Sequence, residues 1–449
     1  VLSDPEDGSP RYLVGCINEI GAKQKADNVS GLLGEYSLKI FYESRSPKLP
    51  QGFLLRIGID DFKNINESHG NEYGDYILRR TAQCIEENIG PEQSLFHIVA
   101  DEFAVVDFSG GSVQQAEDLF HEIKKSIYAF IEQNQYKAVY TVSGGIVKNG
   151  DVDNSFENAM KLSEFALSEA KERGKNSCYV FEEEEYEDYL KSRTLLRQLH
   201  HAVNNGFEGF EAYFQPLVNA ANGELTGAET LLRFHSPEGG MVSPGEFIPI
   251  LEESGLIIPV GRWVLRQALD ACREWQKILP EFKVNVNLSY VQVLKSRVLT
   301  DVRRIVDEFG VKPSSVCIEL TESGYLEENE RFDKVWNGLK EYGVLLALDD
   351  FGTGYSNLRC LSDLKPAYIK IDRSFTLKAL NREYEYRLLN HIVEMSHSLG
   401  LHVCVEGIET EGELTKAKQT EPDYIQGFLF GKPCSRAEFT QKFFTKQAG

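Results

Sequence analysis

The sequence predicts a mixed α/β protein of two units, the second of them a closed (β/α) barrel. Three observations carry this prediction. The chain has 449 residues, more than one hydrophobic core organises. Residues 27–182 and 211–449 each alternate strand-like and helix-like patterns. Between them, "FEEEEYEDYLKSRTLLRQLHHAVNN" sets an acidic run before Leu190, Leu195, Leu196 and Leu199, which reads as a linker helix within 183–210 whose glutamates form a solvated face.

The elements follow in chain order. Residues 1–26 hold a turn, a strand-like run and a polar helical stretch. In 27–182, "GFLLRIGID" is a strand, and "GDYILRRTAQCIEENI" has helical spacing. "SLFHIVADEFAVV" reads as a β-hairpin with its tip at Ala100–Glu102, and "SFENAMKLSEFALSEAKERG" as an amphipathic helix closed by Gly174. From residue 211 come eight strand-like runs: "AYFQPLV", "LTGAETLLRF", "KVNVNLS", "SVCIELTE", "VLLALDD", "AYIKID", "HVCVEGI" and "YIQGFLF". Helical segments such as "EYRLLNHIVEMSHSLG" separate most of them. Repeated β/α units predict a parallel sheet closed into a barrel, with a doubly wound open sheet as the structural alternative.

Composition narrows the function. A formal net charge of −21 argues against a DNA-binding surface, which needs clustered Lys and Arg, but is compatible with a small anionic ligand held by metal ions. The eight cysteines include no C-x-x-C pair and read as buried thiols of a reducing cytoplasm. No apolar stretch is long enough to span a bilayer, and no signal-peptide pattern opens the chain, so no membrane contact is expected from this segment. Because the first residue is Val1 rather than Met, the chain is expected to be a piece of a longer protein whose sensor or membrane-attached portion lies elsewhere.

The candidate chemistry lies at the strand ends. Glu229, Asn287, Glu319, Asp349, Lys370, Glu406 and Gln426 each follow an apolar residue in a strand-like run. Side chains alternate faces, so the apolar neighbours face the helices and the polar residues face the barrel axis, mostly near the C-terminal ends where such barrels carry their active sites. Glu229, Asn287, Glu319, Asp349 and Asp350 offer oxygen ligands, which suit Mg2+ or Mn2+ better than zinc. The adjacent pair lets Asp349 bridge two ions while Asp350 binds one, and two such ions activate water and steady the leaving oxygen of a phosphodiester. Lys370 supplies positive charge for the transition state or the attacking water, and Glu406 is placed to take that water's proton. One buried carboxylate usually has a salt-bridge explanation; seven polar residues at matching strand positions do not. "DDFGTGYSNL" continues the fifth of these strands into a glycine-bearing loop beside the ligands.

With these residues in place, 211–449 resembles an EAL domain, the cyclic di-GMP phosphodiesterase family. The signature glutamate stands in "ETLLR", where Thr230 replaces a residue that is not a ligand, and "NVNLS", "IELTES", "DDFGTGYSNL", "YIKID", "VEGIET" and "IQGFLFGKP" match closely. The resemblance implies that Glu229, Asn287, Glu319, Asp349 and Asp350 are metal ligands, and that Lys370, Glu406 and Gln426 serve the water and the second metal. It further implies that Glu322 holds the "DDFGTG" loop and that Arg233 and Gln215 contact substrate phosphate and base.

Residues 27–182 resemble a GGDEF domain, the diguanylate cyclase fold, through "DNVSGLLGE", "GIDDFKNINESHGNEYGDYIL" and "ALSEAKERGKN". Asn66 and Asp75 match the guanine-reading pair, and Lys171 and Lys175 are expected near a triphosphate. Asp101 and Glu102 keep the signature's acidic pair. Two departures bear on chemistry: the first metal aspartate falls at Gly58, and the signature's Gly-Gly is Val99-Ala100, whose two Cβ groups are expected to crowd the turn. The family's inhibitory R-x-x-D positions hold Gly90 and Gln93, so product inhibition there is not expected. "DGSPRYLVGCINEIGAKQ" resembles the closing strand of a PAS sensor domain.

The resemblance thus implies a cytoplasmic, homodimeric phosphodiesterase that opens cyclic di-GMP to pGpG with two Mg2+ or Mn2+ ions per barrel, regulated by an inactive GGDEF-like domain that binds GTP. The alternatives are an inactive cyclic di-GMP receptor and a bifunctional cyclase/phosphodiesterase.

Overall fold

The computed structural model describes residues 2–3, 10–12, 26–45, 52–134, 139–149, 155–321, 330–352 and 358–445. All but three residues of the PAS-like stretch therefore lie outside the described residues, as does Glu322. The chain divides into two units, Val1–Leu190 and Lys191–Gly449.

The first unit is built on a five-stranded sheet: β1 (Phe53–Ile59), β2 (Gln93–Val99), β3 (Glu102–Asp107), β4 (Val142–Lys148) and β5 (Cys178–Val180), in the order β2-β3-β1-β4-β5. β1 is central and buried at every position, so its seven residues read as a near-continuous apolar run. Its alternating side chains serve two cores. Phe53, Leu55, Ile57 and Ile59 pack with residues of α3 (Asn71–Glu86) and α4 (Val113–Gln133), among them Ile77, Ile85, Phe120 and Ile123. Leu54 packs with Leu38 and Tyr42 of α1 (Glu35–Arg45) and Phe165 and Ala166 of α5 (Phe156–Glu172). The short α2 (Phe62–His69) directly precedes α3. Ser112 begins α4 with a capping box, its hydroxyl accepting from Gln115 N.

β2 and β3 form the expected hairpin, with a bulge between His97 and Val99 and the turn at Ala100–Asp101. The burden of the missing glycines falls unevenly. Val99 is 55% exposed, so its side chain reaches solvent, whereas Ala100 takes φ 49°, the left-handed region that glycine enters without penalty. His97 Nε2 lies 2.9 Å from the Ala100 carbonyl and pins the turn.

The second unit is a closed barrel of eight strands: β6 (Phe210–Asn219), β7 (Leu225–His235), β8 (Lys283–Asn287), β9 (Val316–Thr321), β10 (Leu345–Phe351), β11 (Tyr368–Ile371), β12 (His402–Val405) and β13 (Tyr424–Gln426). β7 to β13 pair in parallel around the ring. β6 closes it and departs from the all-parallel expectation, running antiparallel to both β7 and β13. The cause is local. No helix intervenes between β6 and β7, and the Asn219 side chain accepts from the backbone of Ala221 and Asn222 to make a tight turn. A short turn joins antiparallel strands; a parallel pair needs a crossover. Outside the strands, α8 (Ile257–Trp275), preceded by α7 (Pro244–Ser254), buries Val260, Val264, Ala268, Ala271 and Trp275 at helical spacing. The linker segment is helix α6 (Glu183–Asn204), and the division between the units falls within it. Among the described residues no helix is long and apolar enough to cross a membrane.

Relieving the left-handed alanine tests this account of the hairpin. Ala100→Gly is expected to stabilise the first unit by up to about 1 kcal/mol. Urea unfolding measures it, and a loss of stability would reject the strain assigned to Ala100.

Candidate active site

At the barrel mouth, an ammonium is surrounded by carboxylates. Lys370 projects inward from β11, 2% exposed. Its Nζ lies 3.1 Å from Glu229, 3.0 Å from Glu319, 3.3 Å from Asp349 and 2.9 Å from Glu406. These carboxylates come from β7, β9 and β10 and from the residue after β12, so the barrel's alternation aims them at one point.

The amides complete the ring. Glu229 accepts from Asn287 Nδ2 at 3.0 Å and from Gln426 Nε2 at 2.7 Å. Gln426 also donates to Gln215 Oε1 at 3.0 Å, which places Gln215 directly behind the ring. Asn285 donates to Glu319 at 2.7 Å and was not singled out in the sequence. Its signal was there: it stands two residues before Asn287 and so shares its face.

Asp350 is brought in by a distortion. In a regular strand, neighbours Asp349 and Asp350 would point to opposite faces. β10 instead shifts register between Leu348 and Phe351, and Asp350 takes φ 56°. A bulge of this kind re-aims a side chain at a strand end. Burial, with Asp349 and Asp372 adding to it, pushes the Asp350 carboxyl up to about 6. The "GTGYSNL" loop beyond Gly352 lies outside the described residues from 353 to 357.

Four carboxylates thus meet one ammonium with Asp350 close by, and their titration reflects the imbalance. Burial, opposed by Lys370 and reinforced by Asp349 and Glu229, pushes Glu406 up to about 8. Burial likewise raises Glu319 and Asp349. Burial works on Glu229 too, but Lys370 and the bonds from Gln426 and Asn287 outweigh it and hold that carboxyl below its ordinary range. Burial alone would neutralise Lys370; Asp349, Glu229, Glu319 and Glu406 keep it charged.

This donor set fits a hard divalent cation. Glu229, Glu319 and Asp349 bring ligand oxygens within 4.8 Å of one another. The buried Gln426 Oε1 has no hydrogen-bond partner among the described groups, leaving an acceptor aimed at nothing in the protein. All the donors are oxygens or amides, the chemistry Mg2+ and Mn2+ prefer. Beside the ring, a cavity of about 690 Å3 is lined by Arg233, Asn287, Glu252, Ser289, Tyr290 and Thr321. Asn287 belongs to both ring and cavity. Arg233 lies only in the cavity wall, half-buried, its guanidinium over Tyr213.

In the first unit the predicted residues fall into two groups. A side chain at Gly74 would run into Asn66 Oδ1, so Asn66 lies against the residue next to Asp75. Lys175 is paired with Asp61 at 2.7 Å, and Lys171 lies beside Gly58 and Asp101.

Comparison with known proteins decides the family. Residues 196–433, more than half of the chain, match the EAL domain model. The chain belongs to the EAL domain family. Ahead of that domain, residues 37–177 match the model for the diguanylate cyclase GGDEF domain, so the two stand in tandem. The chain is 29% identical over 381 residues to the bifunctional diguanylate cyclase/cyclic di-GMP phosphodiesterase MucR of Pseudomonas aeruginosa, covering 85% of this chain and 55% of that protein. It is 29% identical over 386 residues to the cyclic di-GMP phosphodiesterase PdeR of Escherichia coli, covering 86% of this chain and 58% of that protein. It spans about half the length of the curated relatives it matches. Among solved structures, the MucR phosphodiesterase in complex with c-di-GMP is 32% identical with a TM-score of 0.52, covering 55% of this chain and 99% of that one.

The raised Glu406 carboxyl has a consequence for the metal-free EAL barrel. Between pH about 4.5 and 8 the native state holds a proton that the unfolded chain has released, so stability falls as pH rises through that window. Thermal melts in chelator at pH 6 and 8 are expected to show a lower midpoint at pH 8, with a smaller difference in Glu406→Gln. An equal difference in that variant would remove Glu406 as the cause.

Proposed function

We propose that this chain hydrolyses cyclic di-GMP to linear pGpG in its EAL barrel. The observation that carries the reading is the ring around Lys370, with four carboxylates, the Asn287 and Gln426 amides and the unpartnered Gln426 Oε1. The relatives' printed activities and the c-di-GMP complex of the MucR domain support the choice of substrate.

Glu229, Asn287, Glu319, Asp349 and Asp350 would hold Mg2+ or Mn2+, two ions per barrel, which polarise the scissile phosphate and lower the pKa of water. Lys370 holds the carboxylates in register and offsets negative charge developing at the phosphorus. Glu406, 2.9 Å from Lys370, would be ionised beside bound cations and takes the proton from the attacking water. Gln426 positions Glu229, and its free oxygen would serve the water and the second metal. Arg233 in the cavity wall and Gln215 behind the ring contact phosphate and base. Water adds at phosphorus, the bond to the 3′-oxygen breaks, and that oxygen leaves as a hydroxyl. The GGDEF domain acts as a regulatory module that binds GTP through Asn66, Asp75, Lys171 and Lys175, with Asp101 beside it, rather than as a cyclase.

Purified chain incubated with cyclic di-GMP and Mn2+, followed by chromatography, is expected to yield pGpG. Glu319→Gln and Glu406→Gln are each expected to lower kcat by about 10²- to 10⁴-fold. Arg233→Ala is expected to raise KM more than it lowers kcat. Tight binding of cyclic di-GMP with no linear product would replace this reading with that of a receptor.

A further inference from the structure

Around the GGDEF hairpin, most carboxylates already have partners. Asp60 accepts from Thr141 Oγ1 at 2.6 Å, Ser143 Oγ at 2.7 Å and Asn176 N at 3.1 Å. Asp61 holds Lys175, and Glu102 holds the buried Arg56 at 2.7 Å. That leaves Asp101, and the cation acting on it is Lys171.

Lys171 reaches this place because residue 58 has no side chain. Alternation on β1 puts Gly58 on the same face as Leu54 and Arg56, the face that α5 covers. A Cβ at Gly58 would stand 2.9 Å from Lys171 Nζ, 3.2 Å from Lys171 Cε and 3.2 Å from Leu167 Cδ2. The ammonium therefore stands against the missing Cβ of position 58, where no carboxylate is available to a cation. Among the described residues, the grouping of three carboxylates able to share an ion lies in the barrel and not here. A hard divalent cation needs several oxygens, and here Asp60 and Glu102 are engaged in hydrogen bonds while Asp101 stands beside the Lys171 ammonium. The metal that the GGDEF fold implies does not fit this site.

Polyphosphate still needs its charge offset, and a lysine ammonium does so as a point charge. We propose that Lys171 is a built-in counter-ion and that the GGDEF domain binds a guanine nucleoside triphosphate free of divalent cation. This rests on the reading of Asn66 and Asp75 as the base-recognising pair. A triphosphate already complexed with Mg2+ would carry that ion against Lys171 and bind more weakly.

Calorimetric titration of the full chain with GTP, once in EDTA and once in excess Mg2+, tests the proposal. Binding in EDTA is expected to be at least as tight as in Mg2+, and Lys171→Met is expected to weaken the EDTA binding by about tenfold or more. Binding that requires Mg2+ would overturn metal-free recognition while leaving the base-recognising pair intact. Binding in neither condition would overturn that pair as well. The comparison of the two buffers uses the unaltered chain, so it decides the matter whether or not the variant folds. Gly58→Asp combined with Lys171→Met is expected to shift binding towards dependence on Mg2+; unchanged metal independence would overturn the role given to Lys171.

Discussion

One buried ammonium organises the EAL barrel. Lys370 contacts carboxylates contributed by four separate strands or strand ends, so each strand must end at the right height for any of the pairs to form. An isolated charge this deep would be neutralised, and an isolated carboxylate would take up a proton. Here each justifies the other, and the excess of carboxylates leaves a deficit of positive charge that divalent cations are suited to fill. The barrel's closure serves this arrangement: β6 turns antiparallel to complete the ring and brings Gln215 behind Gln426.

How much of this was legible follows from the physics of each feature. The strand ends were readable because a period of two sorts Val286 from Asn287 and Ile318 from Glu319 with no further information. Asn285 obeys the same rule and was passed over only because it lies one step deeper. The direction of β6 was harder, since alternation is the same whichever way a strand runs; only the short Asn219–Glu224 connection marks it. The left-handed Asp350 was not legible, because a non-glycine residue adopts that conformation only where its surroundings impose it. Nor was the Lys171–Gly58 contact, which depends on how α5 crosses β1 rather than on any spacing.

The two domains manage clustered acids differently. In the barrel the carboxylates outnumber the one lysine, and several are raised towards neutrality. Around the GGDEF hairpin Lys175, Arg56 and Lys171 answer Asp61, Glu102 and Asp101 nearly one for one. The first arrangement suits cations; the second has spent that capacity on internal pairs.

The space at Gly58 also bears on how this site could be re-engineered. An aspartate placed there would require the flexible end of Lys171 to move aside and Leu167 to give by a few tenths of an ångström. The Ala100 turn has meanwhile been accommodated by the bulge and by His97. An aspartate at position 58 and a glycine at position 100 are thus separate changes with separate local consequences. Any carboxylate engineered at position 58 would therefore have to share its space with the end of Lys171.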